Sequence, residues 1–137
     1  MKVVVCLDDR LGMTFNGRRQ SRDRLLCEDV LNDVRNNGGR LCISEYSRIL
    51  FEESEIVAVG DDFLEVAGEG DTCFVENREL LPYVNKIQSL VIYRWNRHYP
   101  SDKTLDIDPE REGFRLICTS ELIGSSHEKI TKEIYER

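Results

Sequence analysis

The sequence predicts an α/β domain in which a central twisted mixed β-sheet is flanked by helices and ends in an antiparallel C-terminal hairpin. Short apolar runs alternate with helical segments through most of the chain, which is typical of α/β folds. The last two apolar runs follow one another with no helical segment between them, which indicates a hairpin. A length of 137 residues suits one domain with a sizeable core, and we assign residues 1–137 to it.

The first third of the chain carries the clearest signals. Apolar residues at 3–7 predict a buried strand, and the polar stretch 12–20, with an Asn-Gly pair inside it, predicts a loop with a turn. A helix follows, with Ser21 as its N-cap and Asp23 in its first turn. Residues 36–39, Asn-Asn-Gly-Gly, end this helix.

The remaining elements are shorter. Further strands are predicted at residues 40–43, 56–59, 73–75, 88–95, 114–119 and 130–135. Short helices are predicted at residues 45–51, 61–67 and 77–83, the first capped by Ser44 and the last by Asn77.

Charge limits the classes of partner. The net charge of −7 repels a polyanion at long range and argues against tight non-specific binding of nucleic acid. The arginines are clustered, however, with four of them within residues 18–24, so nucleic acid stays open as a partner. The first apolar run is too short to cross a bilayer or to form a signal-peptide core, and we expect a cytoplasmic protein with no membrane partner.

Cysteine spacing excludes two classes of small fold. The five cysteines are odd in number and contain no C-x-x-C pair, which argues against a disulfide framework and against a zinc knuckle. Four of them lie in apolar runs, where cysteine packs as a small hydrophobic residue. We expect no disulfides and no bound metal.

The order of these segments resembles that of the dihydrofolate reductase family. The similar stretches are the opening strand with its Gly12-Met13 loop and early helical Asp23, the strand at 39–43 with the short helix after it, residues 73–82, and the final strand at 130–137. The resemblance covers nearly the whole chain as an order of elements with few identities. It implies a dihydrofolate reductase-like fold for residues 1–137.

Two departures from the family concern its NADPH contacts. The glycine pair that lets the cofactor approach the backbone is replaced by Glu76-Asn77. The helix start that supplies an arginine to a cofactor phosphate is replaced by Ser44-Glu45-Tyr46-Ser47. A carboxylate repels a pyrophosphate, and side chains obstruct close approach, so we expect no NADPH-dependent reduction and no cofactor. Asp23 falls where the family keeps its pterin-binding acid, which leaves pterin or folate binding without reduction as a minor alternative.

Three polar segments, at residues 18–23, 95–102 and 124–128, are richer in polar and aromatic groups than loops require. In the reductase-like topology they lie at one edge of the sheet, and we expect them to converge. The candidate catalytic residues are His127, Asp23 and Tyr99, since imidazole transfers protons near neutral pH and an acid orients it. The candidate ligand-binding residues are Arg18, Arg19, Ser21, Glu45, Tyr46, Trp95, Asn96, Arg97, Asp102, Ser125 and Ser126, which offer guanidinium groups, hydroxyls and aromatic faces.

These residues favour a binding module for a small phosphorylated or nucleotide-like ligand. The alternative is a small metal-independent phosphodiesterase or ribonuclease that uses His127 and arginines. Purely structural roles are the alternative to both hypotheses. His127 then braces a turn, Trp95 packs in the core, and the arginine run is a solvated loop. The sequence does not determine the oligomeric state.

Overall fold

A seven-stranded mixed sheet forms the centre of the computed structural model, which describes residues 1–51 and 55–137. In the described chain the strands are β1 (Lys2–Leu7), β2 (Gly12–Phe15), β3 (Arg18–Arg19), β4 (Leu41–Ile43), β5 (Val57–Val59), β6 (Thr72–Phe74), β7 (Ser89–Arg94), β8 (Lys103–Thr104), β9 (Arg115–Leu122) and β10 (Ile130–Glu136). The order across the large sheet is β5-β4-β6-β1-β7-β10-β9. The first five of these strands are mutually parallel, whereas β10 runs antiparallel to both β7 and β9. The predicted mixed sheet with a C-terminal hairpin is confirmed.

Strand β1 is buried on both faces because it lies in the middle of this sheet. Val3 and Val5 pack into one apolar cluster, together with Phe63 and Leu105, while Val4 packs into a second cluster on the opposite face. The alternation follows from the two-residue period of a strand. The run of valines is therefore a strand with two buried faces, as parallel sheets require.

Helix α1 (Arg24–Asn37) covers one face of the sheet and buries four apolar side chains against it: Leu26, Cys27, Val30 and Val34. Its N-cap is Asp23, whose carboxylate accepts hydrogen bonds from the backbone N–H groups of Leu25 and Leu26 at 3.0 and 3.1 Å. The predicted cap at Ser21 is therefore wrong by two residues. The helix ends as predicted at Gly38, with a φ of 82°.

The predicted loop at 12–20 is a small hairpin. Strands β2 and β3 pair antiparallel through a turn at Asn16 and Gly17, whose φ angles of 52° and 72° are those that two-residue hairpin turns need. Strand β8 (Lys103–Thr104), far along the sequence from β2, adds to the other side of β2. The polar composition predicted the turn but not the strands around it.

The first two short helices lie within the ranges predicted for them, and Ser44 precedes the first as predicted. Residues Glu45–Leu50 and Leu81–Lys86 form 3₁₀ helices, and helix α2 spans Phe63–Val66. The second 3₁₀ helix starts four residues later than the predicted cap at Asn77, because the carboxylate of Asp106 accepts the N–H groups of Leu80 and Leu81 at 2.8 and 2.9 Å. A distant acid therefore sets where this helix begins.

All five cysteines are free thiols, which confirms the prediction of no disulfide framework. No helix in the described ranges has the length and apolar character needed to cross a membrane.

Candidate functional site

The three polar segments meet at the imidazole of His127. Its Nε2 lies 3.2 Å from the hydroxyl of Ser21 and 3.0 Å from that of Tyr99. Its Nδ1 lies 3.2 Å from Oδ2 of Asp23 and 3.1 Å from the hydroxyl of Ser126. Because the carboxylate of Asp23 can only accept, Nδ1 donates to it, and Nε2 faces the two hydroxyls. Residues separated by more than 100 positions in sequence therefore form one hydrogen-bonded cluster.

Asp23 connects this cluster to helix α1. Besides capping the helix, its carboxylate accepts the backbone N–H groups of Ser125 at 2.9 Å and of Ser126 at 2.8 Å. Burial by itself raises the pKa of Asp23, but these N–H donors, the N–H of Leu26 and the imidazole outweigh burial and hold the pKa well below its ordinary value. The carboxylate is therefore ionised and fixed between the helix and the loop.

His127 is enclosed rather than presented to solvent. The residue is 5% exposed, and the indole of Trp95, itself 4% exposed, stacks on the imidazole with a centroid distance of 4.5 Å. At Gly124 a Cβ atom would collide with the carboxylate of Asp23, so this loop position needs glycine. The rings of Trp95 and His127 therefore pack against each other inside the protein, as expected if both have structural roles.

A second cluster joins the two segments that the family resemblance associates with NADPH. The guanidinium of Arg19 donates to both carboxylate oxygens of Glu76, at 2.8 and 2.9 Å. The same guanidinium lies 4.2 Å from the ring centroid of Tyr46 and donates to its backbone carbonyl. Ser47 donates its hydroxyl to Glu76 at 2.7 Å. Because the Glu76 side chain is only 9% exposed, the cation of Arg19 is neutralised inside the protein.

Two hollows among the described residues are lined by residues of both clusters. A small cavity of about 20 Å³ lies among Cys6, Asp23, Leu26 and Trp95, which is room for about one water molecule. An open groove of about 610 Å³ lies on the other side of the hairpin. Its lining consists of Phe15, Asn16, Arg18, Arg19, Gln20, Tyr99 and Pro100. Of these two, the groove has the size of a small-molecule site.

Gln20 lines both the cavity and the groove. Its amide nitrogen donates to Asp8 at 2.9 Å and to the carbonyl of Pro100 at 3.3 Å, so the amide orientation is fixed by the carboxylate. The amide oxygen is buried and has no hydrogen-bond partner among the described residues. A buried acceptor without a protein partner is uncommon in folded proteins.

The other predicted residues are placed as follows. Arg18 and Tyr99 line the groove, and Arg18 is exposed. Arg97 is exposed and lines neither hollow, and Glu45 pairs with Arg48 on the surface. Five predicted residues thus lie outside the groove and the imidazole cluster: Glu45, Tyr46, Asn96, Arg97 and Asp102.

Phe15 and Gln20 were not predicted as site residues. The ring of Phe15 is 43% exposed beside the hairpin turn, and a lone aromatic residue before an Asn-Gly pair was the available signal. Within the described part of the chain, no group of three or more His, Cys, Asp or Glu side chains is arranged to hold a metal ion.

The comparisons with known proteins bear on the fold alone. No family model and no curated protein matches this sequence. A solved structure of dihydrofolate reductase from Enterococcus faecalis, complexed with NADP(H) and RAB-propyl, superposes with a TM-score of 0.62. The match covers 99% of this chain and 95% of that one at 9% sequence identity. The chain therefore has a dihydrofolate reductase-like fold, and at 9% identity the likeness is one of fold alone.

Proposed function

We propose that this protein is a ligand-binding domain that does not use NADPH and that takes a small phosphorylated or nucleotide-like ligand in the groove beside Arg18. The observation that carries the proposal is the Arg19–Glu76 ion pair. It closes the family's cofactor position, while the neighbouring arginine stays exposed above an open groove.

The residues at the cofactor position do not fit a dinucleotide. A pyrophosphate beside Glu76 meets a buried carboxylate, and entry requires that Arg19 leave a two-point ion pair. Removing one partner of such a pair strands the other charge at low dielectric, which costs several kcal/mol, on the order of 3–5 when burial is complete. Ser47 adds a further hydrogen bond that entry breaks. These contacts support a loss of NADPH binding.

The groove offers what an anionic, ring-bearing ligand needs. In the described chain Arg18 forms no ion pair, so its guanidinium is free to bind a phosphate at two points. The exposed ring of Phe15 and the ring of Tyr99 supply apolar faces for stacking. A nucleoside monophosphate combines the two matching features, an anionic group and a flat ring.

The test is calorimetric titration and thermal shift with inorganic phosphate, AMP and NADPH. We expect AMP to bind in the micromolar range and Arg18→Ala to weaken it about tenfold, the effect of losing roughly 1.4 kcal/mol of charge-assisted bonding. Arg35→Ala, at an exposed arginine of α1, is the matched control and is expected to bind AMP like the wild type. No binding of either anion, or consumption of NADPH with dihydrofolate, would overturn the proposal.

The phosphodiesterase alternative receives no support from the fold comparison or from the geometry of His127. Its two ring nitrogens face protein groups, and the ring is covered by Trp95. RNA incubated with the wild type and with His127→Ala separates the alternatives: cleavage by the wild type that the variant lacks would restore the nuclease hypothesis.

A further inference from the structure

Tyr99 belongs both to the open groove and to the imidazole cluster. It is half-buried, packs against the apolar cluster that contains Val4, and lines the groove. Its hydroxyl lies 3.0 Å from Nε2 of His127. The hydroxyl end of this side chain is therefore held by a buried residue, while Tyr99 itself borders the space proposed for the ligand.

The imidazole that holds this hydroxyl is fixed by its own neighbours. Trp95 stacks on the ring at a centroid distance of 4.5 Å, and Nδ1 lies 3.2 Å from Oδ2 of Asp23. Asp23 in turn accepts N–H groups from helix α1 and from the loop at 124–127. Neighbours of this kind lock a side chain in one orientation, so His127 is a rigid support for Tyr99.

The backbone of Tyr99 is fixed as well. Burial by itself raises the pKa of the Asp8 carboxyl, but hydrogen bonds outweigh burial and hold that pKa below its ordinary value, and the N–H of Tyr99 is among the donors. The next residue is Pro100, whose ring restricts the backbone of the residue before it. The carbonyl of Pro100 accepts the side-chain amide of Gln20 at 3.3 Å. Tyr99 is thus held at both ends, at its backbone and at its hydroxyl.

We propose that His127 is a positioning residue for the groove: by holding the hydroxyl of Tyr99 it keeps the Tyr99 ring in place for the base of a nucleoside monophosphate to stack on. This inference rests on the proposed function and adds a source of selectivity to it. A sugar phosphate offers the same phosphate to Arg18 but has no flat ring for Tyr99. The groove therefore favours a nucleotide over a sugar phosphate, and the preference depends on His127.

The size of the effect follows from side-chain freedom. Ordering one mobile side chain on binding weakens affinity roughly two- to tenfold, and a ring that is already fixed avoids this loss. The other aromatic residue at the groove, Phe15, has no polar atom by which the protein could hold it, and it is 43% exposed. Without the imidazole, the ring of Tyr99 becomes free to turn in the same way, and only ligands that stack on it are affected.

The experiment compares AMP with ribose 5-phosphate, by calorimetric titration for AMP and by competition against AMP for the sugar phosphate. We expect the wild type to bind AMP at least about tenfold more tightly than ribose 5-phosphate. His127→Ala is expected to weaken AMP roughly fivefold and to leave ribose 5-phosphate unchanged. Tyr99→Phe keeps the ring and removes the hydroxyl, so we expect the same loss, with no further loss when His127→Ala is added to it. His98→Ala, at the exposed second histidine, is the matched control and is expected to bind both ligands like the wild type.

The outcomes separate this inference from the proposed function. A wild type that does not bind AMP contradicts both. AMP binding that Arg18→Ala weakens and His127→Ala leaves unchanged refutes the role of His127 alone. Equal weakening of AMP and ribose 5-phosphate in His127→Ala also refutes it, because the imidazole then supports only the fold. Circular dichroism checks that each variant is folded; if His127→Ala is not, Tyr99→Phe decides alone, and AMP affinity equal to that of the wild type counts against the proposal.

Discussion

The carboxylate of Asp23 is expected to contribute more to stability than any other single acid in the described chain, and Asp23→Ala tests this. The substitution removes the cap of helix α1 and the acceptor for two N–H groups of the loop at 124–127. It also removes the partner of the His127 imidazole. Helix and loop are then no longer joined at this point.

The magnitude follows from these contacts. An N-cap contributes about 1 kcal/mol. Each of the two loop N–H groups left without an acceptor costs about 1–3 kcal/mol, less where water reaches it. Since the contacts are coupled rather than additive, we expect a loss of about 4 kcal/mol in the free energy of unfolding. For a chain of this length that corresponds to a fall of roughly 15 °C in Tm.

Urea denaturation of the wild type, Asp23→Ala and Asp9→Ala measures the effect. Asp9 is an exposed acid after β1 and serves as the matched control, for which we expect a change below about 0.5 kcal/mol. A loss below about 1 kcal/mol in Asp23→Ala would show that water replaces the carboxylate without penalty, and would refute the structural role assigned to it.

The same variant has a characteristic pH dependence. Because the pKa of Asp23 is held below its ordinary value of 3.8, ionised Asp23 stabilises the folded state. This contribution is complete above that value and is lost as the pH falls towards the folded-state pKa. The difference in unfolding free energy between wild type and Asp23→Ala is therefore expected to shrink below about pH 4. A difference that stays constant down to pH 2 would contradict this expectation.

Three further substitutions test other contacts by the same denaturation measurement. Gly124→Ala places a Cβ against the Asp23 carboxylate and is expected to cost about 2–3 kcal/mol; a neutral result would mean that the loop shifts freely. Glu76→Gln leaves the half-buried Arg19 without a counter-charge and is expected to cost about 2 kcal/mol, against which unchanged stability would count. Asp106→Ala leaves two N–H groups at the start of the second 3₁₀ helix without an acceptor and is expected to cost about 1–2 kcal/mol, and a gain in stability would exclude the capping role.

The sequence predicted the parts of the fold that depend on local pattern. The valine run of β1 and the glycine stop at Gly38 follow from hydrophobicity and backbone freedom, and both are confirmed. The start of α1 was misplaced because Ser21 and Asp23 are both good caps. The choice between them depends on the loop at 124–127, whose N–H groups also bind Asp23. A contact across more than 100 residues has no local signal.

The candidate site was predicted in part for the same reason. The topology predicted that the three polar segments meet, and they meet at His127. The sequence could not predict which of the two adjacent arginines, Arg18 or Arg19, remains free of an ion pair in the described chain, because both have the same side chain and neighbouring positions. In a β-strand, neighbouring side chains point to opposite faces. Arg19 turns inward to Glu76 at the margin of the groove, whereas Arg18 lines the groove and is exposed.

The contacts of Asp23 argue against pterin binding as its role. A pterin-binding acid needs both carboxylate oxygens free to accept two donors from the ligand. In this chain Oδ1 accepts three backbone N–H groups, from Leu25, Leu26 and Ser125, and Oδ2 accepts the N–H of Ser126 and faces the imidazole. The adjacent cavity of about 20 Å³ holds no bicyclic ring. An acid at the family's position therefore fixes a loop to a helix, and the open volume lies on the arginine side of the hairpin.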